Sequence, residues 1–293
     1  MERLRLLCQL VAGAALVCGW PSTGAAQAAD SWVARWQARA TATQSEQPHW
    51  ATPLATSTPR IDQAMRGEFV RQTNAARYDT WNLGNSKGLE LIPERHTELV
   101  FGVPPFFEHA QPRVKNGFGD TWFQGKYRFF ARNEGNGNAV LTAIVVATIP
   151  TGKDANGSCC AVVTPTLAGG KGWGGLALIS TLGGSLPVTN AKGLGHTIAW
   201  NNVAEYRMGT TGVARFFVPE MELNSSFYRG GANDGKTATY GTLGLVVGRL
   251  SLSHDASGAP GRRALTLAAG EQIALTRYHP YNHEIIVSVR MPF

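Results

Sequence analysis

The last ten residues, Glu284 to Phe293, read E-I-I-V-S-V-R-M-P-F and alternate with a period of two. Ile285, Val287, Val289, Met291 and Phe293 fall on one face of an extended strand, and Glu284, Ser288 and Arg290 on the other. A strand that is apolar on one side, polar on the other and closed by an aromatic residue has the form of the final strand of an outer-membrane β-barrel. The same alternation also fits one sheet of a soluble β-sandwich, so the upstream chain has to decide.

Met1 to Ala28 has a basic start at Arg3 and Arg5, an apolar run from Leu6 to Cys18 and the small-residue site Ala26-Gln27-Ala28. That is the layout of a secretory signal peptide cleaved before Ala29. No later segment offers an unbroken apolar run of about 18 residues, so a helical membrane protein is excluded. A chain that enters a membrane without such a run must do so as a closed barrel, because only closure pairs every backbone polar group. The 34 glycines and 16% charged residues suit curved sheets that face lipid. Removing Glu2, Arg3 and Arg5 with the signal lowers the net charge from +7 to +6. No basic run carries interleaved aromatics, which argues against a nucleic-acid partner.

Residues 29–60, with Trp32, Trp36 and Trp50 among Ala, Thr, Gln and Pro, hold no period-two pattern and read as a periplasmic segment that latches or plugs the barrel. Trp32 to Ala38 suits a short amphipathic helix. From Ile61 to Phe293 the chain breaks into strand-like runs at 61–72, 80–92, 96–103, 119–131, 138–150, 159–168, 173–187, 195–207, 214–227, 237–250, 263–275 and 283–293. The fold predicted is all-β, a transmembrane antiparallel up-and-down barrel of about 12 strands, an even number that leaves both termini in the periplasm. Three strands fit poorly. Val140 to Ile149 is apolar on both phases, Glu271 falls on the lipid phase unless a bulge at Gly270 shifts it, and Pro219 interrupts a paired strand.

The alternation collects Arg66, Glu68, Glu98, Asp120, Gln124, Lys126, Arg128, Glu205, Arg207, Glu220, Glu222, Asn224 and Arg290 on the inward phase. Buried charges must be paired or wet, so this set either forms a salt-bridged network or lines water. Twelve strands enclose a narrower space than a porin of sixteen.

Several stretches together resemble a known family: Trp50-Ala51-Thr52-Pro53-Leu54 with Thr58-Pro59-Arg60, the Gly119-Asp120 strand ending Lys126-Tyr127-Arg128-Phe129, Ile149-Pro150-Thr151-Gly152 and the terminal Phe293. Over residues 50–293 the chain is similar to the MetA-pathway of phenol degradation family of outer-membrane transporter-like barrels. That resemblance implies passage of small, often aromatic or hydrophobic compounds, and brings no catalytic residues with it. The reading is a passive outer-membrane channel in a Gram-negative-type bacterium. Its partners would be outer-membrane lipids, small-molecule solutes and, through Ile285, Val287, Val289, Met291 and Phe293, the barrel-assembly machinery. A non-transporting structural or adhesion barrel is the alternative, with a lipid hydrolase behind it.

Catalytic, metal and cofactor signals are weak. Gly84-Asn85-Ser86-Lys87-Gly88 matches a serine-hydrolase pattern, yet strand-like residues follow where a helix is needed. Gly170-Lys171-Gly172-Trp173-Gly174-Gly175 matches a dinucleotide fingerprint but reads as a tight hairpin turn. Pro280 prevents a helix from aiming His279 and His283 at one metal. His96 and His196 are the strand histidines, and neither has an identifiable serine and acid. Cys159-Cys160 is open to a vicinal disulfide, two thiols or a pair of soft ligands.

Overall fold

The computed structural model describes residues 31–84, 87–252 and 264–293. The signal-peptide reading of 1–28 and the residues Asn85 and Ser86 lie outside them. The described chain divides after Ala38. Before that point Trp32 and Trp36 stack, with ring centroids 5.5 Å apart. Helix α1 runs Trp32–Ser45, further than the Trp32 to Ala38 expected. Ser31 caps it through Oγ, which accepts from Ala34 N at 3.1 Å, and good helix formers carry it to the turn before Pro48.

Beyond α1 the chain is strand. The first stretch comprises β1 (Ala64–Thr73), β2 (Asp79–Leu83), β3 (Gly88–Glu94), β4 (Thr97–Gly102), β5 (Phe106–His109), β6 (Gly117–Phe118) and β7 (Thr121–Arg132). The second comprises β8 (Ala139–Ile149), β9 (Val162–Trp173), β10 (Leu176–Pro187), β11 (His196–Tyr206) and β12 (Phe217–Arg229). β13 (Thr237–Ser251), β14 (Ala264–Ala274) and β15 (His283–Pro292) complete it. Each of the pairs β2/β3, β4/β5 and β6/β7 shares one stave, broken by a few residues. The 15 strands therefore make twelve staves in antiparallel order, and β15 pairs with β1 to close the ring. Closure runs over ten pairs, from Ala64↔Pro292 to Thr73↔His283. Because the stave number is even, β1 begins and β15 ends at one end of the cylinder, called here the seam end.

Alternation sorts the side chains. Leu99, Phe101, Phe123, Tyr127, Leu182, Trp200 and Leu243 stand exposed on the outer face. Glu68, Glu98, Lys126, Arg128, Glu205 and Glu222 are buried on the inner one. Among the described residues no helix is long and apolar enough to cross a membrane.

The three awkward strands have physical explanations. β8 is apolar on its inner phase because Val140 packs with Trp50, Ala177, Ile179 and Val203 inside the barrel. Glu271 does face outward: the ladder runs unbroken through Gly270, the register shift lies between Val247 and Leu250 instead, and Glu271 meets His283 Nδ1 at 3.3 Å. Pro219 sits one residue beyond the last β11 pair, Glu205↔Glu220, so its missing N–H costs no bond on that side. Several boundaries also move, the third stave reaching His109 rather than 103 and β12 starting at Phe217 rather than 214 among them, and two have a visible cause. β1 starts at Ala64 rather than Ile61, because Gln47 occupies Ile61: Gln47 Nε2 donates to Ile61 O at 2.7 Å and Ile61 N donates to Gln47 Oε1 at 3.0 Å. β9 runs on to Trp173, so Gly170 and Gly172 lie in the strand and only Gly174-Gly175 turns, with Gly174 at φ +57.

Candidate functional site

Inside the cylinder, residues 46–63 form an irregular strap against the inner wall of the seam half. Such a segment has no strand ladder for its N–H and C=O groups, so the wall must satisfy them. Carboxylates take the N–H groups. Glu205 accepts from Ala51 N at 2.8 Å, Glu220 from Leu54 N at 3.1 Å, and the two oxygens of Glu222 accept from Ala55 N and Thr56 N at 2.8 Å each. Asp62 N donates to Glu98 Oε2 at 2.5 Å. Cations and hydroxyls serve the carbonyls. Arg66 donates to Pro53 O at 3.0 Å, Lys126 to Arg60 O at 3.0 Å, Thr142 to Pro59 O at 2.5 Å and Arg207 to His49 O at 2.5 Å. Arg128 donates to Thr43 O at 2.9 Å and Gln47 Oε1 at 3.1 Å, and Asn224 to Thr56 Oγ1 at 2.8 Å. Hydrogen bonds with one charged partner are the strong kind, and here they hold a segment with no ladder of its own.

Ion pairs tie the remaining charges together. Arg290 lies 2.7 Å from Asp62 and 3.0 Å from Glu90 and donates to Thr52 Oγ1, while Arg60 lies 2.9 Å from Asp62. Burial pushes the Asp62 carboxyl up, but Arg290 and Arg60 outweigh it and hold the group far below the usual carboxylate range. Lys126 pairs with Glu98 at 2.9 Å, and Glu68 with Arg66 at 3.4 Å and Lys87 at 3.5 Å. In the turn after β7, Glu134 accepts from His49 N at 2.7 Å and faces His49 Nδ1 at 3.0 Å. Burial raises its pKa, yet the two His49 bonds prevail and the net shift is downward.

Three apolar side chains anchor the strap. Trp50 joins the β8–β11 cluster and donates Nε1–H to Asn138 Oδ1 at 2.9 Å, and a Cβ on Gly170 would lie 2.5 Å from its ring. Leu54 packs with Val70, Val218, Val246, Ala268 and Ile286, in space that side chains at Gly244 and Gly270 would fill. Ile61 packs with Ala40 and Ile92. Glycine on these strands is therefore a socket for the strap. Beside Glu205, a cavity of about 20 Å³ between Trp50 and Arg207 has room for one water.

The other half of the interior is different. There the inward Gln124, Thr166, Thr197, Asn201 and Ser226 are only partly buried. Tyr281 folds in from the 275–282 loop, stacks on Tyr240 with centroids 4.4 Å apart and donates to Gln272 Oε1 at 2.5 Å. Asp120 sits at the far end and binds the 150–161 loop, accepting from Gly152 N at 2.9 Å, Ser158 N at 2.8 Å and Ser158 Oγ at 2.6 Å. On β15, Ile285 and Val287 are exposed on the outer face, Val289 and Met291 half-buried beside them, and Phe293 N donates to Gln63 O at 3.3 Å.

Sequence reasoning missed Glu90, and it left Glu284 out of the inward set although it had placed that residue on the same polar face as Arg290. It missed Gln47, Thr52, Leu54 and Asp62 for a better reason: they lie in a segment outside any strand, where ion pairs, single hydrogen bonds and a glycine socket leave no periodic trace. The catalytic and metal candidates go to other partners. His96 Nδ1 is 3.0 Å from Arg128 O, and His196 is exposed on the outer face. His279 bonds within its own loop to Thr276 O and Asn282 Oδ1, apart from His283. Cys159 and Cys160 are both thiols, the first exposed and the second buried. Among the described residues no group of three His, Cys, Asp or Glu side chains is placed to hold a metal ion.

No family model matches the chain, and no curated protein does. Solved structures do. An outer membrane channel from Pseudomonas putida F1 is similar at 13% identity with a TM-score of 0.54, over 79% of this chain and 96% of that one. The NanC porin is similar at 10% identity with a TM-score of 0.46, over 79% of this chain and 98% of that one. At these identities the likeness is one of fold.

Proposed function

We propose that the protein is an outer-membrane channel of a Gram-negative-type bacterium that passes small molecules by passive diffusion, with its seam end in the periplasm and the strap as its constriction. One observation carries this reading: a closed twelve-stave wall, apolar outside, whose interior is filled by the strap in one half and lined by partly exposed polar side chains in the other. An apolar outer belt suits hydrocarbon and a polar inner face suits water. The inward charges then have a role apart from solute contact, since most of them hold the strap. The motif resemblance supports membership of the MetA-pathway family and an aromatic or hydrophobic cargo, and makes phenol a useful probe. The terminal strand, with its exposed Ile285 and Val287, supports recognition by the barrel-assembly machinery.

Solute-driven swelling of proteoliposomes and conductance in planar bilayers test the proposal. The full chain should pass small solutes slowly, and a variant lacking residues 31–60, or Leu54→Ala if that truncation does not fold, should pass them faster. No flux from any of the three refutes it. The alternative, a barrel whose interior is pure scaffold, is favoured by the pairing of wall charges with the strap, and that null result is the one it requires.

A further inference from the structure

We infer that the open half of the interior selects uncharged, hydroxyl-bearing solutes over ions of the same size. This rests on the channel reading and names its substrate class.

The seam half uses its cations and carboxylates on the strap, which leaves the far half with a neutral wall. Thr166 on β9, Thr197 and Asn201 on β11 and Ser226 on β12 all face inward and are partly exposed. Asn201 donates to Thr181 Oγ1 at 3.1 Å, which fixes the direction of its amide. On β13, the strand next to β12, lies Tyr240 stacked with Tyr281, with Gln272 buried behind them and donating to Thr242 Oγ1 at 2.8 Å and Asn224 Oδ1 at 3.1 Å. Hydroxyl and amide groups can each donate and accept, as a solute hydroxyl does. The tyrosine faces add flat apolar surface.

The charges that remain in this half are occupied. Glu284 is buried and accepts from Gln72 Nε2 at 2.5 Å, and Lys87 lies 3.5 Å from Glu68. An ion entering the wall would therefore lose hydration without gaining a counter-charge, a cost that an uncharged solute avoids. Lysines and arginines of the far-end loops, such as Arg77, Lys115 and Lys192, are exposed. Water and salt screen them beyond about 8 Å, so they bias encounter with ions and leave the wall inside unchanged.

The test compares glucose with its near-isosteric anion glucuronate and cation glucosamine, using swelling rates for flux and saturation-transfer NMR on detergent-solubilised full chain for binding. Glucose should enter at least about five-fold faster than either ion, and Asn201→Leu should lower its rate about five-fold, the worth of one lost hydrogen bond. Asn201→Asp, which keeps the shape and adds charge, should favour glucosamine over glucuronate even if the leucine variant does not fold. Equal or faster entry of either ion overturns the inference. Saturable binding of glucose alone, without flux, sinks the channel reading and supports this one, whereas absence of both flux and binding sinks the two together.

Discussion

Exchange of Leu54 for alanine asks whether apolar fit holds the strap. Leu54 is 1% exposed, among Val70, Val218, Val246, Ala268 and Ile286. Truncating a buried leucine removes its transfer free energy and leaves a cavity, at a cost of about 2–5 kcal/mol. If the strap has docked and undocked states, a loss of about 3 kcal/mol raises the undocked ratio roughly 150-fold. Gly244→Ala strikes the same contact from the wall. Its Cβ would stand 2.5 Å from Leu54 Cδ1 and 3.0 Å from Glu220 Oε1, all side-chain neighbours, so overpacking of about 1–3 kcal/mol is expected. The double variant should cost less than the sum by about 1 kcal/mol or more, because the methyl at position 244 fills part of the space vacated at 54. The frequency of open events in single-channel recordings reads all three, with protease cleavage of the strap as a second measure. Additive effects, within about 0.5 kcal/mol, or an unchanged open frequency in Leu54→Ala would refute the socket.

Arg290→Met leaves Asp62 and Glu90 buried without their shared cation and should destabilise the barrel by about 3–5 kcal/mol. Neutralising both acids as well (Asp62→Asn, Glu90→Gln) should restore much of this, as read by the temperature at which the folded band is lost in gel-shift heat denaturation. The Glu134 pKa is depressed from its ordinary 4.5 when folded, so its contact with His49 is fully formed above that value and lost as pH falls through the lower folded one. Labelling of a cysteine placed at buried Pro48, next to His49, should accordingly speed up in acid, and Glu134→Gln should flatten the dependence. Outward-facing Glu271 with His283 is a polar pair at the lipid wall, so Glu271→Leu with His283→Phe should raise the urea midpoint in micelles. A lower midpoint would mean that this patch meets something other than hydrocarbon.

Much of the fold was legible because lipid and water impose a strict two-residue period. Phe123, Tyr127, Gln124 and Lys126 announce their faces on β7 without help from the rest of the chain. The failures fall where the interior is occupied. β8 looked ambiguous because Trp50 requires an apolar inner face, and β9 looked too short because Gly170 and Gly172 resemble turn glycines until the socket for Trp50 is known. The inward charges were visible, but their partners were not. A carboxylate that accepts a backbone N–H from a residue 154 positions away, as Glu205 does from Ala51, leaves no mark on either stretch of sequence.

The ring shuts between its first stave and its last, and the strap enters β1 directly at that junction. An internal filler attached elsewhere would have to be threaded through a finished cylinder. Here it can lie in place while the sheet is still an open, curling ribbon, and be enclosed as the two edges meet. Biogenesis then needs no separate loading step, and joining β15 to β1 with the strap absent should yield a hollow, leakier product from the same wall.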